Sequence, residues 1–473
     1  MKNRRDTPSM YPRRTTNYES YSSNTMNRYQ ARRSQIDRSY ATSNDRYMGN
    51  VYQIHQYKDR AISQKNTRAQ STRVQRNSQH RSESKRSILS RMFVGKEAQY
   101  FDYELLLIIL FLICFGLVML YSASSYSALN DFDDDKFYFV KQAQVCAFGF
   151  IWMMFVSKID YHVYGAYSFE FYIFSMIMMA LVQTPLGVTI YGARRWIQLP
   201  GNMTLQPSEI TKVAVILFIS YELCRLGKKV PTKDGTIRIF TFGVIAAAGV
   251  MFLTDNLSTA IIVMAITCIL YFVVHPKMKI FVKIIAVGGA AIAILVMSLA
   301  IMIGSQGTSD NFRIRRILVW LDPESNSDDG GFQVMQGLYA IGSGGFFGKG
   351  LGNSTQKLGS IPEIQNDMIL TVICEELGVM GAIVVLVMFG FMLYRLMFVA
   401  QNAPDLYGSL IVTGIFGHIA LQVILNIAVV TNLIPTTGVT LPFISYGGTS
   451  IVFLMTEMGI ALGVSRKIQL NES

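Results

Sequence analysis

Charge is what this chain has least of. Only 16% of its 473 residues are Asp, Glu, Lys or Arg, against 51% hydrophobic, whereas ordinary soluble domains carry about 25% charged residues. The set of about three soluble domains that this length would suggest is therefore excluded. Cysteine is also sparse. Cys114, Cys146, Cys224, Cys268 and Cys374 show no C-x-x-C spacing, which argues against a zinc site or a disulfide framework. Each lies in or beside an apolar run and is expected as a small buried hydrophobe. A nucleotide-binding P-loop is missing, because Gly348-Lys349 lacks the following Ser or Thr and no strand precedes it. No signal peptide is expected either, since no short apolar stretch with a small-residue cleavage site follows the N-terminal charges.

The formal charge of +12 misleads until it is divided. Residues 1–100 hold 21 of the 43 basic and 7 of the 31 acidic side chains, a balance of +14, which leaves the rest at −2. Residues 1–98 are rich in Arg, Ser, Tyr, Asn and Gln, and are expected to form a disordered basic cytoplasmic tail. Arg interleaved with Tyr would suit nucleic acid. A basic segment before a first transmembrane helix is, however, the positive-inside signature and fits anionic headgroups. That reading is preferred, and no nucleic-acid partner is expected.

The remainder predicts an all-α polytopic membrane protein, with a membrane domain over 99–467 and a cytoplasmic C-terminal end at 468–473. At ~20 residues per crossing, about ten transmembrane helices fall near 104–123, 137–157, 163–183, 209–224, 238–254, 256–275, 279–303, 367–396, 407–430 and 446–465. The fourth and fifth are short enough to be tilted or broken. Loops with Arg225, Lys228, Lys229, Lys233, Arg238, Lys277 and Lys279 fall on the side of the basic tail, and the loop with Asp131, Asp133, Asp134 and Asp135 falls opposite. Both termini are then cytoplasmic. A large extracellular loop, 304–366, separates helices 7 and 8. Its length points to function, and its Gly-rich and aromatic stretches predict an ordered cover over a cavity.

Polar residues within such a body are candidate functional groups. Arg194 and Arg195 offer guanidinium forks for a pyrophosphate. Pro207 is placed to begin a helix, with Ser208 as a cap, Glu209 in its first turn, and Lys212 three residues on in ion-pair reach. These residues suit a structural anchor and substrate binding equally. The long loop carries Arg313, Arg315 and Arg316, Leu321-Asp322-Pro323, and glycines from Gly342 to Gly352, then Gln356-Lys357. Pro362-Glu363 and Asn366-Asp367 lead towards Thr371, Cys374, Glu375, Glu376 and Gly378. Asp367, a carboxylate at the outer mouth of a cavity, is a candidate general base, or alternatively a helix N-cap. The run from Pro435 through Ser445-Tyr446-Gly447-Gly448 implies irregular backbone that lines a cavity, with Ser445 and Tyr446 as candidate substrate contacts.

In this order the clusters resemble the SEDS family, the shape, elongation, division and sporulation proteins FtsW, RodA and SpoVE. The resemblance covers about residues 104–467. It implies a roughly ten-helix glycosyltransferase that polymerises lipid II, the undecaprenyl-pyrophosphate-linked disaccharide pentapeptide, into β-1,4 glycan strands at the outer face of the cytoplasmic membrane. It also implies a class B penicillin-binding protein and other divisome proteins as partners. Asp367 matches the family's catalytic aspartate, and Arg195, Glu209, Lys212, Lys357 and Glu363 match motif positions around the cavity. No cofactor is implied with certainty, and a divalent cation is left open. Two segments depart from the family pattern. Gln365-Asn366-Asp367-Met368 stands where His-Thr-Asp-Phe is usual, so an assisting histidine is absent, and Asp255-Asn256-Leu257-Ser258-Thr259 replaces Pro-Asp-Leu-Gly-Thr. The segment 354–359 looks more like the division and sporulation branch than the elongation branch. A flippase for the lipid-linked precursor and a non-catalytic scaffold are the competing readings.

Overall fold

The computed structural model describes residues 100–190, 193–199, 203–275, 312–326, 330–358 and 364–469. All lie in the larger of two compact units, Ile62–Ser473. The predicted tail, the seventh predicted span at 279–303 and Glu363 lie outside the described residues.

The chain is mostly helical. The helices are α1 (Tyr103–Phe132), α2 (Phe137–Val156), α3 (Tyr161–Ala166), α4 (Ser168–Leu181), α5 (Pro207–Leu226), α6 (Lys233–Leu253), α7 (Leu257–Val274), α8 (Phe312–Leu321), α9 (Gly331–Gly344), α10 (Ile369–Asn402), α11 (Leu406–Val430) and α12 (Ser450–Ser465). Six of them, α1, α2, α6, α7, α10 and α11, are long and apolar enough to cross a membrane. Short polar caps start several of these helices by accepting orphan backbone N–H groups. Asp102 accepts from Leu105 (2.8 Å), Asn256 from Thr259 (3.1 Å) and Asp405 from Gly408 (2.7 Å).

The least apolar long helix is the central one. α5 contains Glu209, Lys212 and Glu222, and every residue from Pro207 to Cys224 is buried. It packs against α4, α6, α7 and α11. Lipid penalises ionised groups, so the helix that carries them is walled off by apolar neighbours. α10 illustrates the complement: Val379, Ile383, Val384, Val387 and Phe391 are exposed on its outer surface, as a lipid-facing helix requires.

Several expectations change. The predicted third span is two helices, α3 and α4. Helix α12 begins at Ser450 rather than 446, because the two glycines before it leave the helix path, Gly448 with φ +48°. A three-stranded antiparallel sheet, unforeseen in the sequence, joins α4 to α5: β1 (Gly187–Ile190), β2 (Ala193–Leu199) and β3 (Met203–Leu205). α10 is broken at Gly378, whose φ of +68° only glycine adopts without strain. The segment after α9 fills the break: Lys349 N–H donates to the Glu375 carbonyl and Gly350 N–H to that of Glu376, both at 2.9 Å. Cys114 is exposed rather than buried, while Cys146 and Cys224 are buried. All five cysteines are free.

The first and last described segments meet at one end of the bundle. Asp102 N–H donates to Ser465 Oγ at 3.3 Å, and Arg466 lies over the Phe101 ring. The same end holds a charged knot. His162 lies 2.8 Å from both Asp160 and Asp405, and Lys467 pairs with Asp160. Burial pulls the His162 imidazole down, but the hydrogen bonds and charges of Asp160 and Asp405 outweigh it and raise the pKa to about 9. Burial raises both carboxyls as well, yet their partners hold them below the usual carboxylate range.

Candidate active site

At the other end of the bundle lies a cavity of about 750 Å³. Its walls come from α2, the sheet, and the starts of α5 and α7, and from α8, the turn before α10, and the irregular segment between α11 and α12. Among the described residues four cations line it, Lys141, Arg195, Lys212 and Arg316, and two carboxylates, Glu209 and Asp367. Lining residues reach no deeper than Val145 on α2 and Gln422 on α11, eight residues from each helix end. At 1.5 Å per residue that is about 12 Å, well short of the ~30 Å hydrocarbon thickness.

Asp367 lies in a turn, 364–368, ahead of α10. The helix starts at Ile369 after Met368, without a side-chain cap, so the N-cap alternative for Asp367 does not hold. Its backbone carbonyl accepts from Asn426 Nδ2 at 2.8 Å. Arg316 lines the same cavity, near enough for the two charges to interact. Burial draws the Arg316 pKa down, and the Asp367 charge pushes it back up. Arg316 Nη1 also donates to the Thr436 carbonyl at 3.0 Å, while Trp320 donates to that of Asn432 at 3.0 Å. Together these bonds dock α8 on the segment between α11 and α12. Of the predicted arginine cluster, Arg316 lines the cavity; the side chains of Arg313 and Arg315 lie outside those described.

Pro207 opens α5 as expected, and Glu209 and Lys212 form a buried ion pair at 2.8 Å. The cap differs: Gln206 is the N-cap residue, and the Ser208 hydroxyl is buried with no partner in the protein. Arg194 and Arg195 are neighbours on β2 at an irregularity in its pairing with β1, where Val188 pairs with Trp196 and Thr189 with Arg194 so that Arg195 is left over, and the two guanidinium groups take different partners. Arg195 lines the cavity and donates to the Asp255 carbonyl at 3.0 Å, whereas Arg194 donates to the Thr184 carbonyl at 2.6 Å and is not among the lining residues.

Lys357, expected beside the cavity, is not among the lining residues either. Its Nζ lies 2.8 Å from Glu376 and donates to the Gly352 carbonyl at 2.7 Å and to Ser122 Oγ at 3.1 Å. Glu375 is matched in the same way by Lys349 at 2.6 Å, with Ser354 and Thr355 as hydroxyl donors. Both carboxylates are fully buried. Tyr446 lines the cavity and meets Tyr138 edge-on at 5.0 Å. Ser445 does not line it; its hydroxyl accepts from Leu441 N–H and its carbonyl from Gln142, so it shapes the turn. Phe443, in the same segment, has φ +62°, strain of the kind that gathers at functional sites. At Gly116, α1 approaches so closely that a Cβ would stand 2.6 Å from the Phe443 carbonyl oxygen. Among the described residues no group of three or more His, Cys, Asp or Glu could hold a metal ion.

Lys141 and Asn426 were missed by sequence reasoning. Lys141 carried a detectable signal, a cation one turn inside an apolar helix. Asn426 had only its polarity within an apolar run.

A family profile described as cell cycle protein, covering FtsW, RodA and SpoVE, matches residues 103–470. Stage V sporulation protein E of Bacillus subtilis (strain 168) is 37% identical over 373 residues, which span 77% of this chain and 97% of that protein. The probable peptidoglycan glycosyltransferase FtsW of Geobacter sp. (strain M18) is 35% identical over 377 residues, 79% of this chain and 99% of that one. One solved chain comes from a peptidoglycan synthase complex studied for the structural coordination of polymerization and crosslinking. It superposes with a TM-score of 0.63 at 25% identity, over 77% of this chain and 98% of its own. The rod shape determining protein RodA of Thermus thermophilus shares the fold, with a TM-score of 0.55 at 22% identity over 78% and 98% of the two chains. The profile begins at the first residue of α1 and runs past the end of α12, so this chain is a multi-pass membrane protein that belongs to the FtsW/RodA/SpoVE family.

Proposed function

We infer that this protein is a peptidoglycan glycosyltransferase that polymerises lipid II in cell division, working at the outer face of the cytoplasmic membrane. The observation that carries the reading is the Asp367 carboxylate, not ion-paired within α5 as Glu209 is, near enough to Arg316 for their charges to interact in a cavity that also holds Lys141, Arg195 and the Glu209–Lys212 pair. The names of the relatives supply the substrate class. Orientation rests on the loops. The charged knot and the basic residues Lys228, Lys229 and Lys233 lie at the end away from the cavity, which is then cytoplasmic with both termini.

In this mechanism Asp367 takes the proton from the 4-hydroxyl of the acceptor N-acetylglucosamine. The oxygen attacks the anomeric carbon of the donor, the bond to the undecaprenyl pyrophosphate breaks, and inversion turns an α-linked donor into a β-1,4 bond. Negative charge grows on the departing pyrophosphate, and preorganised cations at Arg195, Arg316 and Lys212 stabilise it electrostatically. The remaining predicted contacts are assigned by reach. Tyr446 borders the cavity, while Arg194, Lys357 and Ser445 act, if on substrate, from beyond the walls described, and Glu363 is assigned to substrate binding on the family resemblance alone. A class B penicillin-binding protein is the partner that would crosslink the strands. A neighbour in the fold comes from such a synthase complex.

A cavity about 12 Å deep supports chemistry at one face over passage through the bilayer. Detergent separates the two. Purified protein in micelles, alone and with its co-expressed penicillin-binding protein, should convert lipid II to glycan strands, since polymerisation needs no sidedness. A flippase would produce none, and absence of strands with and without the partner would reject this function.

A further inference from the structure

We propose that Asn426 is a positioning residue that holds Asp367 in place against the opposite wall of the cavity. The proposal rests on the reading of Asp367 as the base.

Asn426 is fully buried in α11, four residues before its C-terminal end. An amide hidden in an apolar helix costs stability unless its polar atoms are satisfied; Oδ1 of Asn426 has no hydrogen-bond partner among the described residues, so the two bonds made by Nδ2 are what the burial of this side chain secures. Its Nδ2 donates to two backbone carbonyls, those of Asp367 and Val439, each at 2.8 Å. Both neighbours are acceptors, which fixes the orientation of the amide. Neither carbonyl belongs to a helix or a strand, so both need a partner from elsewhere in the chain. One side chain thus joins the residue of the base to the segment that forms the facing wall.

The surrounding bonds converge on the same segment. Tyr446 N–H donates to the Gln365 carbonyl at 2.9 Å, a second tie from the segment to the Asp367 turn. Gln422, one turn along α11 from Asn426, donates to the Thr440 carbonyl at 3.1 Å. Arg316 donates to the Thr436 carbonyl and Ser258 to that of Thr437, both at 3.0 Å. The turn that carries Asp367 and the Arg316 guanidinium are therefore both tied to residues 436–446, and the Asn426 side chain reaches the Asp367 backbone itself. An amide neither gives nor takes the proton in the reaction, so it acts through Asp367. A displacement of about 1 Å in a reacting group can cost about 100-fold in rate, which sets the expected effect.

The test uses the full chain, purified with its lipid-linked disaccharide substrate, and compares Asn426→Leu, Asn426→Ser and Asp367→Asn. Asn426→Leu removes both donors at similar volume and should lower kcat by about 100-fold with KM little changed. Asn426→Ser keeps one donor, should fall between the leucine variant and wild type, and carries the test if the leucine variant fails to fold. A merely structural role would lower the yield and the unfolding temperature but leave kcat of the folded fraction intact. Unchanged kcat in the folded variants, or a rise in KM alone, overturns the positioning role. Asp367→Asn separates the two ideas. If it polymerises as well as wild type, the base assignment has failed; if it is inactive while both Asn426 variants turn over normally, the assignment of Asn426 has failed.

Discussion

Arg316 and Lys357 show how differently two cations from one loop can be used. Arg316 reaches the cavity and feels the charge of Asp367. Arg316→Gln should lower turnover by about 10²–10³-fold, the usual effect of losing one preorganised donor, and Arg316→Lys should recover only part, because the bond to the Thr436 carbonyl depends on the guanidinium fork. Initial rates of strand synthesis test both. Lys357 is instead buried against Glu376, with side-chain exposures of 8% and 0%. Lys357→Met leaves that carboxylate unpaired in the interior and should cost about 3–5 kcal/mol, while the double variant Lys357→Met/Glu376→Gln should regain much of it. Unfolding in detergent measures the difference; equal stability of single and double variants would contradict the pairing. Little of this contrast was legible in the sequence. Arg313, Arg315 and Arg316 form an undifferentiated cluster, and only the docking of α8 on the residues after α11 selects Arg316. Glu209 and Lys212 could be read, since a three-residue spacing on one helix fixes a contact without tertiary information.

At the scale of elements, the break in α10 ties the segment after α9 to the membrane body. A Cβ at Gly378 would stand 2.4 Å from the Gly348 nitrogen, and its φ is +68°. Gly378→Ala should therefore cost at least the ~1–3 kcal/mol of a non-glycine residue held in that region. Limited proteolysis around 345–358 should reveal the loosened segment. Long apolar helices were legible because length and hydropathy are local signals, whereas their caps were not: those expected at Ser208 and Asp367 do not hold, and those at Asp102, Asn256 and Asp405 were not read. The sheet was not legible either. Its strands have four, seven and three residues, too short for alternation to stand out, and Arg194-Arg195-Trp196 reads as a binding loop. The irregular pairing there sends the Arg194 and Arg195 guanidinium groups to different carbonyls, those of Thr184 and Asp255, which no local signal shows. Asp367 could be named as a base or a cap from sequence, and the start of α10 at Ile369 removes the cap reading.

At the scale of the whole molecule, the two ends of the bundle do different work. The end that brings residues 100–102 beside 465–467 is held by the His162 knot. The His162 pKa is raised from 6.5 to about 9. Its contribution to stability is therefore full below about 6.5 and is lost as pH rises through about 9. Asp160 and Asp405 have the opposite sign: their pKa values are lowered, so their contribution is present above about 3.8 and lost as pH falls further. Unfolding temperatures in detergent should decline between pH 6.5 and 9, and His162→Gln should flatten that decline. The opposite end holds the cavity and, in this account, the chemistry. Its most direct test is glycan strand formation from lipid II by wild type and by Asp367→Asn, at equal amounts of folded, membrane-extracted protein. Strands from the wild type and none from the variant are predicted; strands at comparable rates from both would contradict the account by moving the reaction away from Asp367.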